Sequence, residues 1–197
     1  MGLTMLRLVL LPVFLYLLLA DVGSGEHTSR QLAVAVFAVM AVTDKLDGYL
    51  ARKLNQTSKL GAILDPIADK LLIACTVILL SIPRVAPEGY RIPPAVVIII
   101  YGKDLLMVLG GLTLLSLAGK VTINTRPLGK LSTFLQLSMV IATLVAPEIA
   151  MLLGDAAARW LTRILWWSVS IVTLASAAEY VLIGVRQLKS SRRNATD

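Results

Sequence analysis

The sequence has little charge, few aromatic residues and almost no cysteine or histidine. Of its 197 residues 16% are charged and 6% aromatic, and only one is a cysteine and one a histidine, whereas 57% are hydrophobic. The lone Cys75 argues against disulfides, cysteine-based metal sites and thiol redox chemistry, so we expect it to serve packing. His27 falls in a predicted loop, and we assign it no role. A mean hydropathy of +0.80 is far from that of a soluble domain and indicates a membrane protein.

Apolar runs occupy nearly the whole chain and predict an all-α fold. A helix needs about 20 residues to cross about 30 Å of hydrocarbon, and six runs approach or exceed that length. The segments that join them are short, as in a compact bundle, and leave no room for a separate soluble domain. We therefore predict a polytopic membrane protein with six transmembrane helices in one bundle, at about residues 3–20, 30–51, 62–82, 92–117, 129–153 and 160–185.

The distribution of basic residues predicts the orientation, because Lys and Arg in short loops stay on the cytoplasmic side. The segments on one side hold arginines that are offset by acidic residues. The segments on the other side carry an excess of basic residues: Arg7, Arg52, Lys53, Lys59, Lys120, Arg126, Lys130, Arg186, Lys189, Arg192 and Arg193. Both termini are therefore predicted to be cytoplasmic, with a membrane domain at 1–186 and a basic cytoplasmic tail at 187–197. We expect the membrane to be the bacterial inner membrane.

Two further properties of the chain bear on this assignment. The first apolar run resembles the front of a secretory signal peptide, but no small-x-small cleavage site follows it cleanly, so we interpret it as the first span. The net charge of +7 favours anionic lipid head groups or an anionic substrate. Because no aromatic-rich basic patch accompanies this charge, we expect no nucleic-acid partner.

Four aspartates interrupt the apolar pattern between the second and third predicted spans, in the stretch DKLDGYLARKLNQTSKLGAILDPIAD. Asp44 and Asp47 are spaced i, i+3, and Asp65 and Asp69 are spaced i, i+4, so each pair shares one helix face. The two spans are adjacent and antiparallel, which allows the pairs to face each other. A charged side chain at membrane depth costs at least about 2.5 kcal/mol on insertion scales, so four of them predict a functional site on the cytoplasmic side.

Carboxylates that converge repel one another unless a cation compensates them. Hard divalent cations prefer oxygen ligands, and no His or Cys lies nearby, so the donor set points to Mg²⁺ or Mn²⁺ rather than zinc or copper. The alternative for any single aspartate is a solvated helix end that is paired with Lys45, Arg52 or Lys70. A second alternative is a proton or cation relay in a transporter, although a relay would distribute its acids through the bundle.

Small residues surround the aspartates and leave room for a ligand. Gly48 follows Asp47, and Gly61 lies four residues before Asp65, although glycine in a helix costs roughly 1 kcal/mol relative to alanine. The small side chain of Ala51 leaves space on the same helix face, and the planar guanidinium of Arg52 offers donors that suit phosphate. Pro66 fits either the first turn of a helix or a kink within one.

These residues resemble the signature of the CDP-alcohol phosphatidyltransferase family, D-x-x-D-G-x-x-A-R followed after eight residues by G-x-x-x-D-x-x-x-D. All eight fixed positions are present between residues 44 and 69. The stretch LTMLR near the start is similar to the L-T-x-x-R of the family's first helix, without the preceding Pro-Asn. The stretch GKLSTFLQ at 129–136 is similar to its G-K-x-x-T-x-x-Q region. The family's six-helix bundle agrees with the count of spans.

The resemblance implies that an acceptor alcohol attacks the phosphate of CDP-diacylglycerol and releases CMP. It further implies two divalent ions held by Asp44, Asp47, Asp65 and Asp69, with Asp69 also acting as general base. Four residues would line the site for the cytidine diphosphate: Gly48, Ala51, Arg52 and Gly61.

The acceptor is less clearly specified. Lys103, Arg126 and Lys130 would suit one that carries phosphate, but Lys103 could instead pair with Asp104, and the other two could be loop charges that follow the topology. The motif segment looks most like that of phosphatidylglycerophosphate synthases, which use glycerol 3-phosphate. The Lys103-Asp104 pair, the sequence GKLST and the tail ASAAEYVLIG lean toward CMP-forming cardiolipin synthases, which use phosphatidylglycerol. We expect glycerol 3-phosphate to be the acceptor.

The remaining marked residues receive structural interpretations. We expect Trp160, Trp166 and Trp167 to anchor the last span at the membrane interface and to pack against lipid. Gly110 and Gly111 permit close approach of another helix, either at a homodimer interface or within the monomer.

Overall fold

A computed structural model gives the fold of the chain. It describes the backbone of residues 2–24, 27–54, 70–118 and 127–193, and within these ranges the side chains of residues 9–20, 28–40, 43, 70–116 and 127–187. Every regular element in the described ranges is helical, and these ranges contain no strand. The helices are α1 (Gly2–Ser24), α2 (His27–Leu54), α3 (Lys70–Leu79), α4 (Pro94–Ala118), α5 (Pro127–Leu144), α6 (Ala146–Leu153) and α7 (Asp155–Arg193).

Three of the helices are long and apolar enough to cross a membrane. These candidate spans are Pro94–Ser116, Pro127–Leu144 and Asp155–Gln187. Shorter apolar stretches are Val9–Ala20, Thr28–Met40 and Lys70–Leu79. The described residues thus confirm an all-α fold and contain three candidate membrane spans; the predicted total of six spans stays a prediction.

The chain divides into two compact units. The first comprises Met1–Arg91 with Val140–Arg159, and the second comprises Ile92–Met139 with Trp160–Asp197. In the first unit α1 packs on α2 through large side chains at helical spacing. Phe14 and Leu18 on α1 and Phe37 and Met40 on α2 are at most 2% exposed. The rings of Phe14 and Phe37 are tilted at 45°, with centroids 5.4 Å apart, as aromatic pairs prefer.

Polar contacts connect distant parts of the first unit. Arg30 near the start of α2 donates from Nη2 to Oε1 of Glu148 on α6 over 2.8 Å, although the two residues are 118 apart in sequence. Tyr90, in the segment between α3 and α4, donates its hydroxyl to Asp155 at the start of α7, and Asp155 also pairs with Arg159 one turn later. Two of the acidic residues that offset arginines in the sequence, Glu148 and Asp155, therefore pair directly with an arginine.

The predicted helix 129–153 is wrong in one respect, because two helices occupy these residues. α5 ends at Leu144 and α6 begins at Ala146, with Val145 between them at φ −94° and ψ 3°. Pro147 explains the break, since it has no N–H to donate and its ring would clash with the carbonyl of Thr143 one turn earlier. Proline is favoured instead in the first turn of a new helix, where Pro147 lies.

The predicted loop at 154–159 is also wrong, since only Gly154 separates α6 from α7. Gly154 has φ +89°, a conformation that glycine adopts at little cost, and its N–H donates to the Ala150 carbonyl over 3.0 Å. α7 then begins at Asp155, whose negative charge suits the positive end of a helix. The alanines that follow favour the helix.

In the second unit a polar contact joins α5 to α7. Ser132 Oγ lies 3.0 Å from Thr173 Oγ1, and the Gln136 amide donates to Ser132 Oγ over 3.3 Å. α4 packs on α7 through its glycines. A Cβ at Gly110 would lie 3.2 Å from Cε1 of Tyr180, and the Tyr180 hydroxyl donates to the Met107 carbonyl over 3.1 Å.

Candidate active site

Five of the predicted site residues lie on one uninterrupted helix. α2 continues to Leu54 and therefore carries Asp44, Asp47, Gly48, Ala51 and Arg52 without a break. On a regular helix Asp44 and Asp47 lie about one turn apart on the same side, and Ala51 follows one turn later. Just before this motif, Thr43 donates its hydroxyl to the Val39 carbonyl over 2.6 Å, a bond within the helix. The backbone of α2 thus satisfies the spacing that the first half of the motif requires.

The second half of the motif, Gly61, Asp65, Pro66 and Asp69, lies outside the described residues. α3 is described from Lys70, the residue after Asp69. Convergence of the four carboxylates therefore stays a prediction. Among the described side chains no group of three or more His, Cys, Asp or Glu residues is placed to hold a metal ion.

The donor set of the motif fits a hard divalent cation. All four candidate ligands are carboxylates, and two of them share one side of a continuous helix. Oxygen donors alone suit Mg²⁺ or Mn²⁺ and provide neither the thiolate nor the imidazole that zinc and copper prefer. The residues present are therefore compatible with the predicted ions.

The candidate acceptor residues have different surroundings. Lys103 lies on α4, about 14 Å along the helix from Pro94, and its side chain is only 8% exposed. Its Nζ is 3.2 Å from Oδ1 of Asp104, so the pairing that the sequence offered as an alternative is present. Lys130 is exposed on the first turn of α5, and Arg126 lies outside the described residues.

Gly110 and Gly111 pack within the monomer. Besides the contact of Gly110 with the Tyr180 ring, a Cβ at Gly111 would lie 3.6 Å from the Tyr180 hydroxyl. Of the two uses that the sequence left open, close packing inside one chain is the one observed. The same contact accounts for Tyr180, the aromatic residue of the tail ASAAEYVLIG.

The other residues marked in the sequence have surroundings that fit their structural interpretations. Trp160 and Trp167 are 65% and 70% exposed on α7, as expected of side chains that contact lipid. Trp166 is half-buried, and so is Cys75 within α3.

Sequence reasoning did not identify the buried polar contacts between helices. Ser132, Gln136 and Thr173 are each at most 6% exposed, and so is Arg30. A signal for the first two was available, because polar residues at i, i+4 in an otherwise apolar helix indicate a polar contact with a neighbouring helix. No comparable signal identifies the partner, since that depends on how the helices pack.

The family model of the CDP-alcohol phosphatidyltransferases matches residues 1–175 of the chain. The chain belongs to the CDP-alcohol phosphatidyltransferase family. It is therefore a phosphotransferase, and this family generally uses divalent metals. Its helices are those of an integral membrane protein.

Bacterial members of this family are similar over most of their length. A probable phosphatidylglycerophosphate synthase of Mycobacterium tuberculosis is 34% identical over 197 residues, which cover 98% of this chain and 85% of that protein. A CDP-diacylglycerol–glycerol-3-phosphate 3-phosphatidyltransferase of Aquifex aeolicus is 32% identical over 188 residues, with 94% and 95% covered. A protein of the same name from Bacillus subtilis is 33% identical over 150 residues, with 72% and 74% covered.

Proposed function

We propose that this phosphatidyltransferase transfers the phosphatidyl group of CDP-diacylglycerol to glycerol 3-phosphate. The observation that carries the proposal is the similarity to the Aquifex aeolicus relative, which is named for this reaction and matches almost end to end. The complete eight-position motif between residues 44 and 69 supports the same chemistry. Apart from the sequence features at Lys103-Asp104, GKLST and ASAAEYVLIG, neither the described residues nor the similar proteins favour phosphatidylglycerol as the acceptor, and neither favours a transport function.

In the proposed reaction a hydroxyl of glycerol 3-phosphate attacks the phosphorus that carries the diacylglycerol. A new P–O bond forms to the acceptor, the P–O bond to CMP breaks, and CMP leaves with the bonding electrons. Asp69 accepts the proton of the attacking hydroxyl. General bases that are positioned in this way typically contribute a rate factor of about 10² to 10⁴.

The motif residues position the nucleotide end of the lipid. Asp44, Asp47, Asp65 and Asp69 would hold two ions, Mg²⁺ or Mn²⁺. When bound, such ions stabilise the charge on the attacking and leaving oxygens. Gly48, Ala51 and Gly61 leave room for the cytidine diphosphate, and Arg52 donates to its phosphate oxygens. Positioning and charge neutralisation make up most of the protein's part in phosphoryl transfer.

The acceptor is proposed to bind through Lys103, Arg126 and Lys130, whose positive charges complement a phosphate monoester. Lys103 already pairs with Asp104 inside a candidate membrane span, so a buried charge there has a partner. The exposed Lys130 is available to a ligand from the aqueous side.

The proposed arrangement in the membrane is a six-span bundle in a bacterial inner membrane, with both termini and the active site on the cytoplasmic side. The excess of basic residues in alternate segments supports it. We also propose the division into a membrane domain, 1–186, and a basic tail, 187–197, although α7 continues to Arg193. A homodimer stays a prediction. Within the chain, Tyr180 packs on Gly110 and Gly111.

One assay tests the acceptor. Purified protein receives CDP-diacylglycerol with glycerol 3-phosphate, phosphatidylglycerol, inositol phosphate or serine in parallel, and CMP release is followed. We expect release only with glycerol 3-phosphate, and phosphatidylglycerophosphate as the product. CMP release with phosphatidylglycerol alone would replace the proposal with cardiolipin synthesis.

The same assay tests the metal requirement. We expect EDTA to abolish CMP release and Mg²⁺ or Mn²⁺ to restore it, because four converging carboxylates need a countercharge. Undiminished turnover in EDTA would contradict a metal site at the aspartates. The acceptor arms would still report which alcohol is used.

A further inference from the structure

A buried polar contact joins α5 to α7 close in sequence to the proposed acceptor residue Lys130: Ser132 on α5 contacts Thr173 on α7, and Gln136 donates to Ser132 within α5. Ser132 and Thr173 are fully buried, and Gln136 is 6% exposed. The Ser132 hydroxyl lies between the other two, 3.0 Å from Thr173 Oγ1 and 3.3 Å from the Gln136 amide nitrogen. We propose that Ser132, Gln136 and Thr173 are positioning residues that fix the rotation of α5 and so hold Lys130 where it binds the phosphate of the acceptor. This inference rests on the proposed function.

Helix geometry explains how a contact with α7 can set the position of Lys130. At about 100° per residue, Ser132 and Gln136 lie about 40° apart and share the face toward α7. Lys130 lies two residues before Ser132, about 3 Å along the axis and about 160° around it. It therefore lies on the side of α5 away from Thr173, where it is exposed.

In the first part of α5, up to Gln136, the buried side chains are polar, whereas the buried apolar side chains Met139, Val140 and Leu144 lie further along the helix. Leu131 and Phe134, in this same part of α5, are 43% and 62% exposed, so the polar contacts are what holds its rotation there. A turn of about 20° would move a side-chain tip about 5 Å from the axis by about 2 Å. The same turn would strain the short contact between Ser132 and Thr173 and leave buried hydroxyls without partners, which is unfavourable in hydrocarbon.

The test separates acceptor binding from binding of the CDP-lipid. The purified full-length enzyme is assayed for CMP release while glycerol 3-phosphate and CDP-diacylglycerol are varied independently. For Thr173→Val, which removes one hydroxyl at nearly constant volume, we expect the KM for glycerol 3-phosphate to rise about fivefold, on the scale of one lost hydrogen bond. The KM for CDP-diacylglycerol should stay within about twofold of wild type.

Further variants test how the acceptor KM depends on these hydroxyls and provide controls. Ser132→Ala removes both contacts and should raise the acceptor KM at least as much as Thr173→Val. Thr173→Ser keeps the hydroxyl and should restore a near-normal acceptor KM. Ser138→Ala on α5 and Ser170→Ala on α7 are matched controls, because both hydroxyls donate to carbonyls of their own helix. Neither control should change either KM.

The outcomes distinguish this inference from the proposed function. A wild-type enzyme without CMP release on glycerol 3-phosphate would overturn the proposed acceptor and this inference together. An active wild type with an unchanged acceptor KM in Thr173→Val and Ser132→Ala would overturn the inference alone, as would equal rises in both KM values. If Thr173→Val does not fold, Ser132→Ala decides by the same criterion. If neither folds, Thr173→Ser decides: a wild-type acceptor KM supports the inference, and a raised one overturns it.

Discussion

Asp44 and Asp47 lie one turn apart on a helix that continues unbroken to Leu54. Two carboxylates at this spacing repel each other and lower the stability of an isolated helix by a few tenths of a kcal/mol. In a chain that is only 16% charged, such a pair predicts a bound ligand. We infer that charge compensation by a ligand, rather than by neighbouring basic residues, makes this end of α2 compatible with the membrane.

At the residue scale the sharpest prediction concerns Asp69. Replacing Asp69 with Asn keeps the size of the side chain but removes the proton acceptor, so we expect CMP release to fall about a hundredfold or more. Thermal unfolding of the purified variant in detergent should match that of wild type. Steady-state CMP release and the unfolding temperature are the two measurements.

A matched control removes an acidic group elsewhere. Glu88 is exposed in the segment between α3 and α4, and Glu88→Gln should release CMP at the wild-type rate. Normal turnover of Asp69→Asn would eliminate the proposed base. If Glu88→Gln also lost turnover, the loss in Asp69→Asn could be explained by a general effect of removing a negative charge on folding, and not by the loss of a base.

The motif could be predicted from sequence because its information is local. Asp44, Asp47 and Arg52 are defined by spacing along one helix, and a regular helix converts spacing into a shared side without reference to the rest of the chain. The pairing of Arg30 with Glu148 depends on helix packing across 118 residues, and no local pattern specifies it. Ser132 and Thr173, 41 residues apart, illustrate the same limit.

At the element scale, Arg30 and Glu148 connect α2 with α6. The Arg30 side chain is 7% exposed and that of Glu148 is 30% exposed, and Nε of Arg30 and Oε2 of Glu148 are themselves buried. Only one hydrogen bond joins them, and Arg30 Nε and Glu148 Oε2 have no partner among the described residues. In such a pair, removing one partner lowers the free energy of unfolding by more than the intact pair contributes to it.

We therefore predict that Arg30→Met lowers the free energy of unfolding by about 2 kcal/mol or more, because it leaves a buried carboxylate uncompensated. The double variant Arg30→Met with Glu148→Leu should recover most of the loss. The exposed pair between Asp155 and Arg159 is the control, and Arg159→Met should cost at most about 1 kcal/mol. Thermal unfolding in detergent gives the ranking. Equal losses of stability in Arg30→Met and Arg159→Met would show that burial of the ion pair does not determine the cost.

The break between α5 and α6 shows how element boundaries escape a sequence pattern. The apolar run from 129 to 153 continues across Val145, and hydrophobicity alone favours one span. Pro147 contains the opposite information, because it removes the bond that Thr143 would accept. At Gly154 and Asp155 the sequence prediction errs in the opposite direction, because it places a connecting segment where α7 has already begun. The predicted spans leave 154–159 as a connecting segment, but one glycine with positive φ is the whole connection between α6 and α7.

A second prediction at this scale concerns the contact of α4 with α7. Gly110→Leu would push a side chain into the Tyr180 ring, which already lies 3.2 Å from the position of a Cβ, and should lower the unfolding temperature. A Cβ at Gly102 on the same helix would meet no atom within 4 Å, so Gly102→Leu should be neutral or stabilising, since leucine favours helix over glycine. Pairing Gly110→Leu with Tyr180→Ala should restore part of the loss. Equal behaviour of the two glycine variants would contradict the contact.

At the scale of the whole molecule, the length of α7 bears on how the chain meets the membrane. Its 39 residues extend about 58 Å, almost twice the thickness of the hydrocarbon. The helix must therefore tilt, curve or continue into water. Trp160, Arg163 and Trp167 are exposed near its start, and the segment from Arg186 to Arg193 is basic, so each end has residues typical of an interface.

The number of spans determines whether the two ends of the chain lie on the same side. Six spans return the C-terminus to the side of the N-terminus, whereas five spans would separate them. We predict that in intact cells an impermeant maleimide labels Glu88→Cys, but labels Gly2→Cys and Ser191→Cys only after permeabilisation, all in a Cys75→Ala background. Glu88 suits this test because it is exposed in the segment that follows α3, which six spans place outside. Labelling of Gly2→Cys and Ser191→Cys from opposite sides would exclude any even number of spans. Labelling of both in intact cells would invert the predicted orientation and move the aspartates away from the cytoplasm.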